Sequence, residues 1–214
     1  PYVIPVSYQV IDQDSGVVIV PETLFELTGE TAAIQYPNIS GRPVVSILRG
    51  LSAPVKLEMD RSTDELVALA RFDDDGVNRW DAIQELYMQA IQSLLQDPGS
   101  NINDSLRLLI CDLICRPSDI ADPACLAEML ALPQDNILWD AFQPADPQKI
   151  LEARKMLRRN IADAGASLWR NLFESMRIVG PYEPSADAIG RRSLAITALG
   201  YLAKVEPIDD LLKD

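Results

Sequence analysis

Apolar and polar positions alternate with the two-residue period of β-strands in the first part of the chain. Residues 3–11 (VIPVSYQVI) alternate in this way, and residues 12–16 (DQDSG) form a predicted turn before the apolar run 17–20. Further candidate strands cover residues 24–28, 32–36, 44–48 and 55–58. Short strands separated by turn residues are typical of a β-sandwich. The pattern therefore predicts a β-sandwich module over residues 1–60.

After Asp60 the pattern changes to the three-residue and four-residue spacing of amphipathic helices. Residues 62–65 (STDE) form a capping box, because Ser62 and Glu65 can satisfy each other's backbone amides. This signal predicts a helix that ends near Arg71.

Two apolar stripes mark the next helices. From Asn78 to the DPG break at residues 97–99, apolar residues recur every three or four positions, beginning with Trp80. Residues 104–115 are apolar almost all round, which predicts a helix that is covered on more than one side.

Caps followed by proline predict the later helices. Asp122 and Asp146 each precede a proline, which is favoured at the first helical position. The stripe after Asp146 stays in phase through Gly165, which favours one long helix, with a break at Gly165 as the alternative. Ser185 begins the last complete helix. Short turns between antiparallel helices indicate an all-α, solenoid-like domain over residues 61–214.

The composition is that of a folded chain without a membrane span. Of the 214 residues, 48% are hydrophobic and 24% are charged. No apolar run approaches the roughly 20 residues that a transmembrane helix needs. Pro1 is neither an initiator methionine nor the start of a signal peptide, so we expect the chain to begin inside a longer protein.

The charge and the cysteines restrict the partners and the compartment. The net charge is −13, and the cationic pairs at residues 154–155, 158–159 and 191–192 each fall in an amphipathic helix, where a solvated face explains them. Nucleic acid is therefore not an expected partner. An odd count of three cysteines fits a reducing compartment, and we expect the cytoplasm.

Common catalytic motifs are absent from the sequence. The chain has no histidine, which excludes the usual nucleophile–base pairs of hydrolases, and it has no GxSxG, Walker or GxGxxG motif. The DDDG run at residues 73–76 fails as a calcium loop, because Ala82 would stand where a carboxylate is required.

The remaining candidate groups have structural explanations. Cys111, Cys115 and Cys125 could share a metal ion, but without a C-x-x-C pair we interpret them as small core residues. Pairs of acids, namely Glu26 with Glu30 and Asp209 with Asp210, are interpreted as solvated charge. The three tryptophans fall in helical apolar stripes and are expected in the core rather than in a peptide-binding strip, and these are Trp80, Trp139 and Trp169.

The transition from β to α carries the most specific motifs. Residues 49–58 (RGLSAPVKLE) and 71–82 (RFDDDGVNRWDA) resemble the hinge between the β-sandwich and the helical C-terminal domain of bacterial M1-family aminopeptidase N. Residues 130–133 (LALP), 146–147 and 152–154 support the resemblance, which covers nearly the whole chain.

The resemblance implies a fold of two modules. The first would be an immunoglobulin-like sandwich that begins upstream and here lacks a strand or two, which leaves an edge that the full protein pairs or covers. The second would be a helical domain that is truncated at its C-terminus. A strand at residues 52–57 and the helices from Ser62 and Asn78 would pack the modules together, with Trp80 as a buried anchor.

The resemblance also implies a function. The family holds its catalytic zinc with an HExxH motif, so no catalytic, cofactor-binding or metal-binding residue can be carried onto a chain without histidine. We expect a non-catalytic part of a zinc aminopeptidase, which packs against the catalytic domain and helps to enclose the site where peptides lose N-terminal residues. Zinc would belong to the parent alone. The alternative is a stand-alone protein-interaction module that has no association with a peptidase.

Overall fold

The structure, a computed structural model, describes residues 3–144 and 146–207. The chain divides into two compact units, of which the first ends at Ile83 and the second begins at Gln84. None of the helices in the described ranges combines the length and the apolar character that a bilayer crossing needs.

An antiparallel sheet forms the first part of the first unit. Its strands are β1 (Ile4–Asp12), β2 (Val18–Leu27) and β3 (Pro43–Ile47), and β1 lies in the middle. β1 pairs with both neighbours, so Tyr8 faces Thr23 on one side and Ile47 on the other. Alternation of side chains across the sheet separates an apolar face, which includes Tyr8 and Val10, from a face that includes Ser7 and Gln9.

The two predicted strands at residues 17–20 and 24–28 are one continuous strand, β2. Pro21 lies within β2, at an edge of the described sheet, where a missing backbone amide is tolerated. The register of pairing shifts between Tyr8 and Val10, opposite this part of β2. The gap between the two predicted strands is therefore an irregularity within one strand.

The predicted strands at residues 32–36 and 55–58 are wrong. Both segments lie in irregular backbone, and the residues of both are exposed. An alternating pattern identifies a strand only where a neighbouring strand accepts its hydrogen bonds, and no other strand in the described part of the chain pairs with either segment. The strand expected at residues 52–57 as a packing element is absent for the same reason.

Two helices begin in the first unit, and the first of them follows its predicted cap. α1 (Thr63–Phe72) starts after Ser62, whose hydroxyl accepts from the amide of Glu65 while Glu65 accepts from the amide of Ser62. α1 contacts β3. α2 (Gly76–Gln96) starts two residues before the predicted Asn78 and ends at the predicted DPG break.

Six helices follow α2 in the described part of the second unit. The caps at Asn103, Asp122, Asp146 and Ser185 all accept backbone amides. The helices are α3 (Asp104–Cys115), α4 (Pro123–Leu130), α5 (Asp135–Ala141), α6 (Pro147–Ala164), α7 (Ala166–Met176) and α8 (Ala186–Leu202). The start signals at Asp122, Asp146 and Ser185 are thus confirmed.

The favoured single helix through Gly165 is wrong, and the alternative break is confirmed. Gly165 has φ −133° and ψ 30°, outside the helical region, and it separates α6 from α7. Glycine in a helix interior loses more backbone entropy than other residues, so a break is least unfavourable there. The apolar stripe stays in phase because both helices bury the same side of the chain, including Leu157 and Leu172.

Trp169 and Tyr201 form the aromatic centre of the second unit. Trp169 is fully buried, and its ring stacks on Tyr201 with centroids 4.3 Å apart. The indole N–H donates to the Ile161 carbonyl at 3.2 Å, which satisfies the only polar atom of the side chain. Helices α4, α6 and α7 all pack against α8 around this pair.

Several residues expected in the core are exposed. Trp80 and Trp139 each expose 40% of their surface, so core packing is confirmed for Trp169 and wrong for the other two. Cys115 is exposed, whereas Cys111 and Cys125 are half-buried. A helical stripe gives the direction of a side chain, but the position of the neighbouring helices decides how wide the covered face is.

Helix α3 is covered less completely than its composition predicts. It contacts α6 and α7, which agrees with the expected burial on more than one side. Leu108 nevertheless remains 56% exposed.

Candidate functional site

The segment after β3 places a buried arginine between the sheet and two helices of the first unit. Arg49 begins a 3₁₀ turn (Arg49–Leu51), and only 4% of its surface is exposed. Its guanidinium donates to Ser46 Oγ at 3.0 Å and to Glu22 Oε2 at 3.1 Å, and it forms ion pairs with Asp73 and Asp74. A single side chain therefore connects two strands to the turn between α1 and α2.

The acidic turn that failed as a calcium loop has a clear structural role. Asp75 caps α2, because its Oδ1 accepts from the amides of Val77 and Asn78 at 2.9 and 3.0 Å. Its Oδ2 accepts from the Gly50 amide at 2.7 Å. Asn78 then donates to Ser46 Oγ at 2.7 Å. The two motifs of the resemblance thus meet in one hydrogen-bonded network.

Two members of this network, Arg49 and Glu22, have shifted pKa values. Burial disfavours the charged guanidinium, but hydrogen bonds to Asp74, Asp73 and Glu22 together raise the pKa of Arg49 above its ordinary value. The hydroxyl of Ser7 and then Arg49 lower the pKa of Glu22. Asp73 is almost wholly buried, and its Oδ2 has no hydrogen-bond partner in the structure. Such an arrangement orients the backbone segments that it connects.

The rest of the first motif continues the connection. Ser52 Oγ accepts from the Ser7 amide at 3.0 Å, and Ala53 is buried. Val55 and Leu57 are exposed, so only the first half of this motif packs within its own unit.

A large apolar cavity lies on the open face of the sheet. Its volume is about 680 Å³, and strands β1, β2 and β3 together with the loop before β3 line it. The hydroxyls of Tyr8 and Tyr36 form a short hydrogen bond there, and this bond, together with burial, raises the pKa of Tyr8 to about 12. The cavity presents apolar side chains such as Val6, Phe25 and Val45, and it has no arrangement of catalytic groups.

The LALP segment (residues 130–133) of the second unit is held in place by hydrogen bonds to its backbone carbonyls. Side chains from α2, α6 and α8 donate to four backbone carbonyls at and just after the end of α4, where carbonyls have no partner within the helix. The pairs are Tyr87 with Met129 (3.2 Å), Tyr201 with Leu130 (2.7 Å), Gln84 with Ala131 (3.0 Å) and Arg154 with Pro133 (2.8 Å). The segment is therefore a structural junction of four helices.

Zinc does not fit the residues that the structure describes. The chain has no histidine, and no group of three or more cysteine, aspartate or glutamate side chains within residues 3–144 and 146–207 could hold a metal ion. The acid pair Asp209 and Asp210 lies outside the described residues.

Sequence reasoning missed the partners of Arg49. Glu22 lies on β2 and Ser46 lies on β3. A polar residue in an alternating strand is expected to face solvent, so neither residue was expected to bind a buried cation. A usable signal was the arginine at the end of an apolar strand, because a cation that close to buried residues needs acidic partners. Spacing alone could not say that residues 73 and 74 would supply them.

Comparison with known proteins connects both units to one family. A model described as "Domain of unknown function (DUF3458_C) ARM repeats" matches residues 63–212, and one described as "Domain of unknown function (DUF3458) Ig-like fold" matches residues 1–60. Aminopeptidase N of Caulobacter vibrioides is 35% identical over 166 residues, which cover 75% of this chain and 18% of that protein. The chain belongs to the aminopeptidase N family.

Other relatives agree with the family. Aminopeptidase N of Escherichia coli is 27% identical over 95% of this chain and 24% of its own length. Aminopeptidase N of Haemophilus influenzae is 26% identical over 84% of the chain and 21% of its own length. A crystal structure of Legionella pneumophila aminopeptidase A in complex with aspartic acid matches with a TM-score of 0.82 and 26% identity, over 95% of this chain and 24% of that chain.

The matches also confirm the fold class. A small antiparallel sheet with an Ig-like assignment is followed by a helical domain with an ARM-repeat assignment, as the resemblance to aminopeptidase N implied. The chain spans less than a quarter of the length of these aminopeptidase relatives.

Proposed function

We propose that this chain is a non-catalytic C-terminal portion of a zinc-dependent M1 aminopeptidase that removes N-terminal residues from peptides. The observation that carries the proposal is the match to aminopeptidase N along nearly the whole chain, in a sequence without histidine. The parent's catalytic domain would supply the zinc ligands and the chemistry. This portion would pack against that domain and help to enclose the peptide site, in the cytoplasm.

The proposed division of the chain is a β-sandwich module over residues 1–60 and a helical domain over residues 61–214. The ranges matched by the two family models support this division. The apolar cavity on the sheet supports an incomplete sandwich, because an immunoglobulin-like fold covers such a face with a second sheet. In the parent, further strands would fill that space.

The test compares the 214-residue chain with the full-length protein that contains it. Zinc content is measured by mass spectrometry after extensive dialysis, and hydrolysis of alanine p-nitroanilide is followed by absorbance. We expect stoichiometric zinc and hydrolysis for the full-length protein, and neither for the chain alone. Tightly bound zinc in the chain alone would contradict the proposal, as would a full-length protein without aminopeptidase activity.

A contribution to enclosure is tested by substrate length. We expect the full-length protein to hydrolyse the N-terminal residue of short peptides and to leave a folded protein with the same N-terminal sequence intact, because a bowl-shaped helical domain limits access. Equal rates on both substrates would contradict enclosure while leaving the peptidase assignment in place.

A further inference from the structure

A second, smaller pocket lies in the helical unit, between the turn after α4, helix α6 and helix α8. Its volume is about 240 Å³. Arg154 and Arg158 of α6 line it together with Leu132, Ile196 and Thr197. We call it the α6–α8 pocket. It belongs to the second unit, whereas the Arg49 network and the cavity on the sheet belong to the first.

The two arginines of the α6–α8 pocket share one face of α6. They are four residues apart, which places them one above the other on the helix. Both are half-buried, whereas their neighbours Lys155 and Arg159 are exposed. The sequence pattern predicts a solvated helix face for the cationic pairs at residues 154–155 and 158–159. That prediction is wrong for Arg154 and Arg158.

Arg158 is held in place by neutral groups. Its Nη2 donates to the Gly200 carbonyl at 3.2 Å, and its guanidinium lies 5.6 Å from the centre of the Tyr201 ring. A Cβ on residue 200 would lie 2.7 Å from that nitrogen, so the glycine allows the close approach. No carboxylate in the described part of the chain lies within ion-pair distance of Arg158. A guanidinium has five N–H donors, and within the described residues most of those on Arg158 remain available.

Arg154 is already compensated. Its Nε lies 3.5 Å from Asp135 Oδ1 and donates to the Pro133 carbonyl at 2.8 Å. The pocket therefore carries about one uncompensated positive charge. That balance favours a monoanion over a phosphate, whose second charge would have no partner.

The remaining walls favour an apolar group next to the anion. Ile196, which is 69% exposed, and Leu132 both line the pocket. A volume of 240 Å³ corresponds to roughly eight waters of about 30 Å³ each, which is enough for a molecule of five to eight non-hydrogen atoms.

We propose that the α6–α8 pocket binds a small aliphatic monocarboxylate, with the carboxylate on Arg158 and its apolar group against Ile196 and Leu132. A planar carboxylate accepts two parallel hydrogen bonds from one guanidinium, which an ammonium group could not provide in the same geometry. The proposal goes beyond the proposed function, because it needs neither zinc nor the catalytic domain.

The first experiment is a titration of the 214-residue chain with 3-methylbutanoate, followed by amide and methyl chemical shifts. We expect saturable shifts at Leu132, Ile196 and Thr197, with a dissociation constant on the order of millimolar for a ligand of this size. The matched control is 3-methylbutanamide, which has the same shape and no charge. An equal response to the amide, or no saturable response to the acid, would overturn the proposal.

Two variants test which arginine binds the carboxylate of the ligand. Arg158→Gln should weaken binding of 3-methylbutanoate by about tenfold or more, the loss expected for a charge-assisted hydrogen bond. Arg159→Gln is the control, because Arg159 is the next residue, is exposed, and pairs with Asp163 at 2.9 Å. Binding that is weakened equally by both variants would reflect general charge and would overturn the proposed site.

A final experiment tests whether a carboxylate of the chain itself, rather than a free ligand, occupies the α6–α8 pocket. Asp209→Asn with Asp210→Asn removes two carboxylates of the C-terminal segment. We expect the affinity for 3-methylbutanoate to change by less than about twofold, which would be below ~0.5 kcal/mol. An affinity that rises about tenfold or more would show that these acids occupy the pocket, and it would overturn the assignment to a free ligand.

Discussion

Burial distinguishes tryptophans that the sequence presents as equivalent. Trp169 is fully enclosed and stacked on Tyr201, whereas Trp80 is 40% exposed at the start of α2. The expected role of Trp80 as a packing anchor is therefore wrong. The large loss of stability expected for its removal belongs to Trp169.

Replacement of Trp169 tests this difference. Trp169→Ala should lower the free energy of unfolding by ~3 to 5 kcal/mol, because it opens a cavity and leaves the Tyr201 ring without its stacking partner. Trp80→Ala serves as the control and should lower the free energy of unfolding clearly less. Urea denaturation followed by circular dichroism measures both. Equal losses for the two variants would show that Trp80 is also a packing residue.

The buried network of the first unit makes a second prediction at this scale. Arg49→Met should destabilise the chain by ~3 to 5 kcal/mol, because it leaves the buried Asp73 without a counter-charge. Adding Asp73→Asn should recover part of that loss. The unfolding midpoint in urea reports both changes.

Arg42→Met is the control for the Arg49 variant. Arg42 pairs with Asp14 at 3.3 Å and Asp64 at 3.5 Å, but 57% of its side chain is exposed. Exposed pairs contribute little, so the midpoint should stay near that of the wild type. A loss as large as that of Arg49→Met would argue against a special role for the buried network.

At the scale of elements, caps decide where the helices begin. Ser62→Ala should cost ~1 kcal/mol of stability at neutral pH, because it removes one half of the capping box of α1. Ser93→Ala in the last turn of α2 is the control, since the Ser93 hydroxyl donates to the Gln89 carbonyl within its own helix. Thermal unfolding of both variants measures the difference.

The contribution of the cap should depend on pH. Hydrogen bonds from the hydroxyl and the amide of Ser62 lower the pKa of Glu65. A carboxyl group whose pKa is lower in the folded than in the unfolded state stabilises the fold at pH values above its unfolded-state pKa. That contribution is lost as the pH falls through the folded-state pKa. The difference between wild type and Ser62→Ala should therefore shrink between pH 7 and about pH 3. A constant difference would contradict the role of the Glu65 carboxylate.

Two glycines in α8 allow the effect of close packing on stability to be distinguished from the effect of helix propensity. A Cβ on Gly190 would lie 2.9 Å from the backbone nitrogen of Ala124, whereas a Cβ on Gly200 would meet only the flexible end of Arg158. Alanine gains up to ~1 kcal/mol over glycine in a helix, but overpacking against backbone costs ~1 to 3 kcal/mol. Gly190→Ala should therefore lower the melting temperature, while Gly200→Ala should leave it unchanged or raise it. The reverse order would disprove close packing of α8 on α4.

At the scale of the whole molecule, we expect the stability of the chain to be independent of a bound metal ion. The chain folds around apolar side chains, caps and ion pairs, and its described residues hold no metal cluster. A chelator such as EDTA should therefore leave the melting temperature of the chain unchanged. A fall in the melting temperature on chelation, restored by zinc alone, would show a structural metal and contradict this view.

The sequence by itself determined the order and type of most elements. Local signals suffice where one residue acts on its own backbone, as Ser62, Asp122, Asp146 and Ser185 do at the starts of helices. The two-residue period located β1 and β3 because their side chains alternate between faces. The motifs at residues 49–58 and 71–82 were also enough to suggest the family.

Tertiary structure alone decided which residues are buried and which charges meet. Trp80 and Trp169 occupy similar stripes, but only the neighbours of Trp169 close around it. Arg49 finds Glu22 and Asp73 across 27 and 24 residues of chain, a distance at which no periodic pattern carries information. Strand pairing, helix breaks and ion pairs depend on partners that are distant in sequence, and the folded chain brings those partners together.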